Sequence, residues 1–394
     1  MKCVSALSLA AETPVAIDEV LGQLAEATGG RPGDLALVFS STHHADELGR
    51  IGPAILDRGL ARHVLGCTGE SIVGGGREVE GAPALSAWSI ELPGAEIEPI
   101  RLSGAGQSAV QRLRQVPEPE RAALILLGDP FSFRVDEFLK SINEEARGLP
   151  VIGGMASGSQ VPRGNQLLLD GDGFHDGAVA VLLSGPLSVR TIVSQGCRPI
   201  GRTMLVTKAE NNVIRELGRR PAVAALRDMF QELSPDEQQK IQDGLHVGRV
   251  INEYQGSFRR GDFLVRNVIG VDDSGALQIT DMVRVGQTVQ FHVRDAETAD
   301  EDLRENLLAA REQARRTGTP AGALLFTCNG RGSRLFDEPD HDVRLIHEVL
   351  GPIPVAGLFA MGEIGPIGGQ NFVHGFTASV AVFEEPAETE PTPS

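Results

Sequence analysis

Pro354-Val355-Ala356-Gly357-Leu358-Phe359-Ala360-Met361-Gly362-Glu363-Ile364-Gly365 is an apolar run that breaks up into glycines, and the chain carries it three times. After a turn the run Ala378-Ser379-Val380-Ala381-Val382 follows. The middle copy reads Val151-Ile152-Gly153, then Gly158-Ser159, then Gly177-Ala178-Val179-Ala180-Val181. The first reads Val64-Leu65-Gly66, then Gly69-Glu70, then Ser86-Ala87-Trp88-Ser89-Ile90. The two glycines stand five apart in the later copies and three apart in the first. An internal repeat governs how the rest of a chain is read. Glycine-rich turns also let backbone approach whatever lies beside them.

The residues before each copy repeat in kind. Ile17, Val20, Leu21 and Leu24 predict a helix over 16–27, followed by a strand over 35–40. Leu303, Leu307 and Leu308 predict a helix over 302–313, followed by a strand over 323–327. The middle copy has a helix over 108–116 and the apolar run 122–127. Second helices are expected near 45–59, 135–145 and 342–350. Apolar strands alternating with helices indicate sheets covered by helices. The added strand pairs make those sheets mixed. The fold class expected is therefore α/β, with mixed sheets flanked by helices, built from three strand-helix repeat units in a two-domain pseudo-symmetric arrangement. The first domain spans 1–190 with two repeat units. The second spans 191–385, with an inserted α+β segment and the third unit. The insert holds a helix over 222–232 and a hairpin of 263–271 with 276–280 around Asp272-Asp273-Ser274-Gly275. The Pro/Glu/Thr-rich stretch 386–394 reads as a disordered tail.

A chain of 394 residues is long for one core and suggests two domains. Aromatic residues make up only 4%, so Ala, Val, Leu and Ile must fill the interior. A net charge of −17 argues against nucleic acid and anionic membrane as partners. No apolar run approaches the roughly 20 residues of a membrane span. The start Met1-Lys2-Cys3-Val4-Ser5-Ala6-Leu7 reads as a first strand. Cys3, Cys67, Cys197 and Cys328 are widely spaced, the usage of a reducing cytoplasm.

At this point the chain resembles the FIST proteins (F-box and intracellular signal transduction), with both the N-terminal and the C-terminal FIST domain. The N-terminal likeness rests on 64–70 and on Pro150-Val151-Ile152-Gly153-Gly154. The C-terminal likeness rests on Leu205-Val206-Thr207-Lys208-Ala209, Val289-Gln290-Phe291-His292-Val293-Arg294-Asp295 and Cys328-Asn329-Gly330-Arg331-Gly332. It continues through 354–366 and Asn371-Phe372-Val373-His374-Gly375-Phe376-Thr377-Ala378. The resemblance implies a sensory module for small molecules, with amino acids or related metabolites as the ligand class, acting in intracellular signal transduction. The sequence shows no F-box and no kinase, receiver or cyclase segment, so output is expected through a separate protein partner in trans.

Cys328-Asn329-Gly330-Arg331-Gly332 follows an apolar strand, and ligands of open α/β sheets bind beyond the carboxyl ends of strands. Its backbone N–H groups and Arg331 suit an anion. The alternative is a structural turn with Arg331 in a local ion pair. Glu363, between Gly362 and Gly365, suits a ligand amine, or else caps nearby N–H groups. Glu70 stands in its place in the first copy and Ser159 in the middle copy. His374 reads as a ligand contact or a hydrogen-bonded core residue. By strand parity Asn371 and Thr377 face away from it. Cys328 invites a nucleophile reading with His341 or His374 as base, set against the small buried hydrophobe that cysteine often is. Cys67 carries the same ambiguity. Asp170-Gly171-Asp172-Gly173-Phe174-His175-Asp176 departs from a calcium loop, and His43-His44 has no metal spacing. No metal and no cofactor are expected. The leading reading is a cytoplasmic ligand-binding sensor. An enzyme using Cys328 or His374, and a ligand-free interaction platform, stand as alternatives.

Overall fold

The continuous apolar runs fold as strands buried on both faces. A computed structural model describes residues 1–386. The expected tail lies outside the described residues, apart from Pro386, which ends the last strand. The chain opens with β1 (Lys2–Ser8), α1 (Thr13–Thr28), β2 (Gly33–Ser41), α2 (Leu48–Asp57), β3 (Ala61–Gly69), β4 (Ile72–Gly74), β5 (Arg77–Val79) and β6 (Leu85–Glu91). It continues with β7 (Glu96–Leu102), α3 (Gln107–Leu113), β8 (Ala122–Gly128), α4 (Val135–Glu145), β9 (Val151–Met155), β10 (Leu167–Leu169), β11 (Asp172–Phe174) and β12 (Ala178–Ser184). Next come β13 (Ser188–Gln195), β14 (Cys197–Glu210), β15 (Val213–Leu217), β16 (Arg220–Pro221), α5 (Ala222–Glu232), α6 (Pro235–Asp243), β17 (Leu245–Val250), β18 (Phe263–Val271), β19 (Leu277–Ile279) and β20 (Thr288–Arg294). The described chain closes with α7 (Ala296–Thr317), β21 (Gly318–Cys328), α8 (His341–Leu350), β22 (Val355–Ala360), β23 (Glu363–Ile367), β24 (Gln370–His374) and β25 (Thr377–Pro386). The protein is thus a mixed α/β structure. No helix among the described residues is long and apolar enough to cross a membrane.

The chain divides into two compact units. One comprises Met1–Ser194, Leu303–Val373 and the described residues from Thr377 onward; the other comprises Gln195–Asp302 and His374–Phe376. The first holds three six-stranded sheets, ordered β1-β6-β2-β3-β10-β11, β7-β12-β8-β9-β23-β24 and β13-β25-β21-β22-β4-β5. Each has a parallel pair at its centre, β2 with β3, β8 with β9 and β21 with β22. Each pair is flanked by an antiparallel strand, β6, β12 or β25. The hairpin that follows each parallel pair crosses to a different sheet. β4–β5 joins β22, β10–β11 joins β3, and β23–β24 joins β9. The exchange is cyclic: every sheet is completed by another's hairpin.

Alternation along the central strands explains the packing. Leu35, Leu37 and Phe39 of β2, Ile125 and Leu127 of β8, and Leu324 and Phe326 of β21 meet in one shared core with Trp88. The intervening residues face the helices. Ala36 and Val38 pack with α1 and α2 residues, Leu124 and Leu126 with α3 and α4, and Leu325 with α7 and α8.

The first glycine of each copy lies inside a strand, where the sequence suggests a turn, while Gly158 and Gly362 do lie in bends. Gly66, Gly153 and Gly357 stand opposite Val38, Leu126 and Leu325 in the parallel pairs. A Cβ at these positions would lie 2.5, 1.8 and 1.7 Å from the carbonyl oxygens of those residues. Close approach of neighbouring strands, more than turn geometry, requires glycine here.

The second unit is a sheet ordered β14-β20-β17-β18-β19-β15-β16, and an added β14–β15 pairing closes it into a barrel. α5 covers the helix expected over 222–232, and β18–β19 is the expected hairpin. α6 was not anticipated, although Ser234 and Glu237 form a capping box at its start.

Gly357→Ala should lower stability by about 3 kcal/mol or more, since backbone must shift to admit the methyl group. Gly22→Ala, on the exposed face of α1 with nothing within 4 Å of the added carbon, should raise it by roughly 0.5–1 kcal/mol. Denaturant unfolding of the two variants checks both signs.

Candidate functional site

β21 ends at Cys328, and the chain turns at once: the Arg331 amide donates to the Cys328 carbonyl at 2.8 Å. Gly332 follows with φ 57°, and a Cβ there would meet Glu80 Oε1 at 2.5 Å. Glu80 in turn accepts from the Ser333 amide at 2.9 Å and its hydroxyl at 2.7 Å. This turn folds the Arg331 side chain inward until it is 1% exposed. The β4–β5 hairpin, lodged against β22, supplies the other wall.

Burying a guanidinium requires a paired anion. Arg331 Nε and Nη2 donate to the two oxygens of Asp342, on α8, at 2.8 and 2.7 Å. Thr327 Oγ1 donates to the same carboxylate at 2.7 Å, and His341 Nδ1 lies 2.9 Å from it. Burial opposes ionisation of Asp342, but Arg331 and His341 overcome it and hold the carboxyl below its usual range. The Arg331 guanidinium also lies 5.1 Å from the Phe336 ring centroid, and Phe336 stacks on His341. Glu78, on β5, accepts from the Val343 amide at 2.9 Å at the start of α8. Burial, and then the nearby Asp342 charge, raise the Glu78 carboxyl above its normal range.

Glu363 begins β23 and is fully buried. One oxygen accepts from the Thr377 amide at 3.1 Å and hydroxyl at 2.8 Å. Burial nevertheless dominates and pushes the carboxyl up to about 8, with Thr377, Arg331 and Cys328 pulling it back. Burial thus favours the protonated form of this carboxyl near neutral pH. Four polar atoms here meet no hydrogen-bond partner among the described residues: Arg331 Nη1, Glu363 Oε1, Glu78 Oε2 and Asn329 Oδ1. Buried polar atoms are nearly always paired, so this concentration calls for an explanation.

The structure brings Cys328, Asn329, Gly330, Arg331, Gly332, Gly362 and Glu363 to neighbouring strand ends. Cys328 is partly exposed, and the Gly330 amide donates to its sulfur at 3.4 Å. Glu70 is tied in as the ion partner of Arg334, whose other nitrogen donates to the Asn329 carbonyl at 2.8 Å. Cys67 lies apart, fully buried in the shared apolar core, where burial drives its thiol strongly upward. His374 is buried and groups with the second unit. The parity argument does not carry to Thr377, because Gly375 and Phe376 interrupt the strand, with Phe376 at φ 64°; Asn371 and His374 share the unbroken strand β24. Asn371 is a structural clamp: its side chain bonds the Val151 amide at 2.8 Å and the Leu149 carbonyl at 2.9 Å. Sequence reasoning missed Asp342, Glu78 and Thr377. Asp342, an acid in the first turn of an expected helix opposite a lone arginine, left a usable signal. Glu78 left none, because its hairpin crosses to another sheet. Among the described residues no group of three His, Cys, Asp or Glu side chains is placed to hold a metal ion.

A FIST N domain matches residues 34–220 and a FIST C domain matches residues 222–366. The chain belongs to the FIST family. It is 40% identical over 371 residues to an uncharacterized protein of Mycobacterium bovis, covering 94% of this chain and 95% of that one. It is 41% identical over 359 residues to an uncharacterized protein of Mycobacterium tuberculosis, covering 91% and 93% respectively.

Removing either partner of the buried ion pair strands the other. Asp342→Asn and Arg331→Met should each lower stability by about 3–5 kcal/mol, measured by denaturant unfolding. Glu363→Gln should change the pH dependence instead. The raised folded pKa means the folded state holds more protons than the unfolded one between about 4.5 and about 8. Wild type therefore loses stability relative to the glutamine variant as pH rises through that window, by a few kcal/mol at most. Parallel melts from pH 5 to 8.5 read the difference.

Proposed function

We propose that this protein is a small-molecule sensor, that its ligand sits among Cys328, Asn329, Arg331, Glu363 and Glu70, and that its signal passes to a separate protein. The observation that carries this reading is the pair of buried, unpartnered atoms, Arg331 Nη1 and Glu363 Oε1. Such atoms are costly in an unliganded core, and a bound polar molecule would satisfy both. Preorganised polar groups at strand ends are the usual furniture of a ligand site in an α/β protein. Membership of the FIST family supports the signalling role.

The electrostatics favour some ligands over others. Arg331 is already neutralised by Asp342, and protonated Glu363 is a hydrogen-bond donor. At neutral pH the two groups present donors, which suits an acceptor oxygen. An amine ligand must first take the proton off Glu363, so its affinity should rise as pH climbs toward about 8. A ligand that accepts from protonated Glu363 should weaken over the same range. A thermal-shift screen of amino acids, amines and small carboxylates at pH 6 and pH 8 tests the reading. A ligand at 100 times its Kd adds about 2.7 kcal/mol of stability. The expected result is a selective rise in Tm that Glu363→Gln abolishes or strongly reduces. A panel with no hit, or hits indifferent to Glu363→Gln, would overturn the assignment of the site.

A further inference from the structure

Among the described residues Cys328 is the one cysteine that is not buried; Cys3, Cys67 and Cys197 all are. It lies at the end of β21, in the partly exposed turn that leads into Arg331. Its sulfur accepts the Gly330 amide at 3.4 Å. Cys328 and Arg331 both act on the Glu363 carboxyl, so the three side chains are neighbours; Arg331 is 1% and Glu363 0% exposed, and each carries an unpartnered polar atom. The arrangement is a thiol next to two buried donors. Donors gathered where an oxygen will develop charge are what carbonyl addition requires.

We infer that Cys328 anchors a carbonyl-trapping site, in which the thiol adds reversibly to a small aldehyde and Glu363 and Arg331 hold the resulting oxygen. The sulfur–carbon bond forms as the carbonyl π bond opens onto oxygen. Glu363 gives that oxygen its proton and regains one from the thiol. The product is a neutral thiohemiacetal; nothing is oxidised and no group leaves. Acyl transfer fits less well, because it needs a base to activate water and Glu363 is held in its acid form. The inference rests on the proposed ligand site and specifies its chemistry.

The test uses the full chain and three probes of equal carbon number: butanal, butyrate and butylamine. Iodoacetamide alkylation of native protein, read by peptide mass, reports on Cys328. Butanal should slow this alkylation saturably, and dialysis should restore it. [1-13C]Butanal should show a saturated adduct carbon that is missing in Cys328→Ser. Glu363→Gln, with its fold checked by circular dichroism, should slow the approach to protection by roughly a hundredfold, as expected for loss of a general acid. The inference is overturned if Cys328 resists alkylation until the protein unfolds, if butanal leaves its rate unchanged, or if Glu363→Gln reacts as fast as wild type. Should butyrate or butylamine then raise Tm in a Glu363-dependent way, the binding reading survives and only the covalent step falls. If no probe binds, both fall.

Discussion

Three sheets bury one face each in a single apolar core, and most else in the larger unit follows from that constraint. A strand with one face in the shared core and the other under helices is apolar almost throughout, as β2, β8 and β22 are. The charged and thiol groups of the candidate site accordingly stand at strand ends and in the turns beyond them. Cys328, Arg331 and Glu363 stand at such ends, and Asp342 stands at the first turn of α8. The demand for close strand approach also explains the glycine at each parallel pair. With Leu325 O only 1.7 Å from where a Cβ of Gly357 would be, no larger residue keeps the pairing.

Much of this was legible in sequence, and the failures have identifiable causes. α4 and α5 occupy 135–145 and 222–232, as their apolar periodicity indicates. α7 starts at Ala296, earlier than the leucine pattern suggests, because its first turns are polar. The region before α2 is a tight 3-10 turn over Thr42–Glu47, which carries no helical stripe. Gly66, Gly153 and Gly357 marked the right places for the wrong local reason: chain reversal and close strand packing leave the same residue. Pairings between distant hairpins and sheets have no local signature at all. Glu78 and its contact with α8 were invisible for that reason.

Arg331 answers to both readings its sequence allowed. Two of its nitrogens form the local ion pair, while the third meets no partner among the described residues. The ion pair removes its net charge from the site without removing its directional hydrogen bond. Glu363 undergoes a related change. A residue whose sequence context suggests an anion is held as a neutral acid by burial. The cluster is therefore more polar than it is charged, and its character is set by packing depth more than by residue type. That is why a formal count of arginines and glutamates misjudges what the site can hold.

The cyclic exchange of hairpins bears on how the chain is made. β4–β5 leaves the ribosome long before β22 exists to receive it, and β9 likewise waits for β23. During synthesis the early sheets carry open edges, which are templates for wrong pairing. Only when the last segment emerges can all three edges be covered, so assembly of the larger unit is deferred to the end of translation. The topology that locks the finished molecule together makes its nascent form a natural client for chaperones.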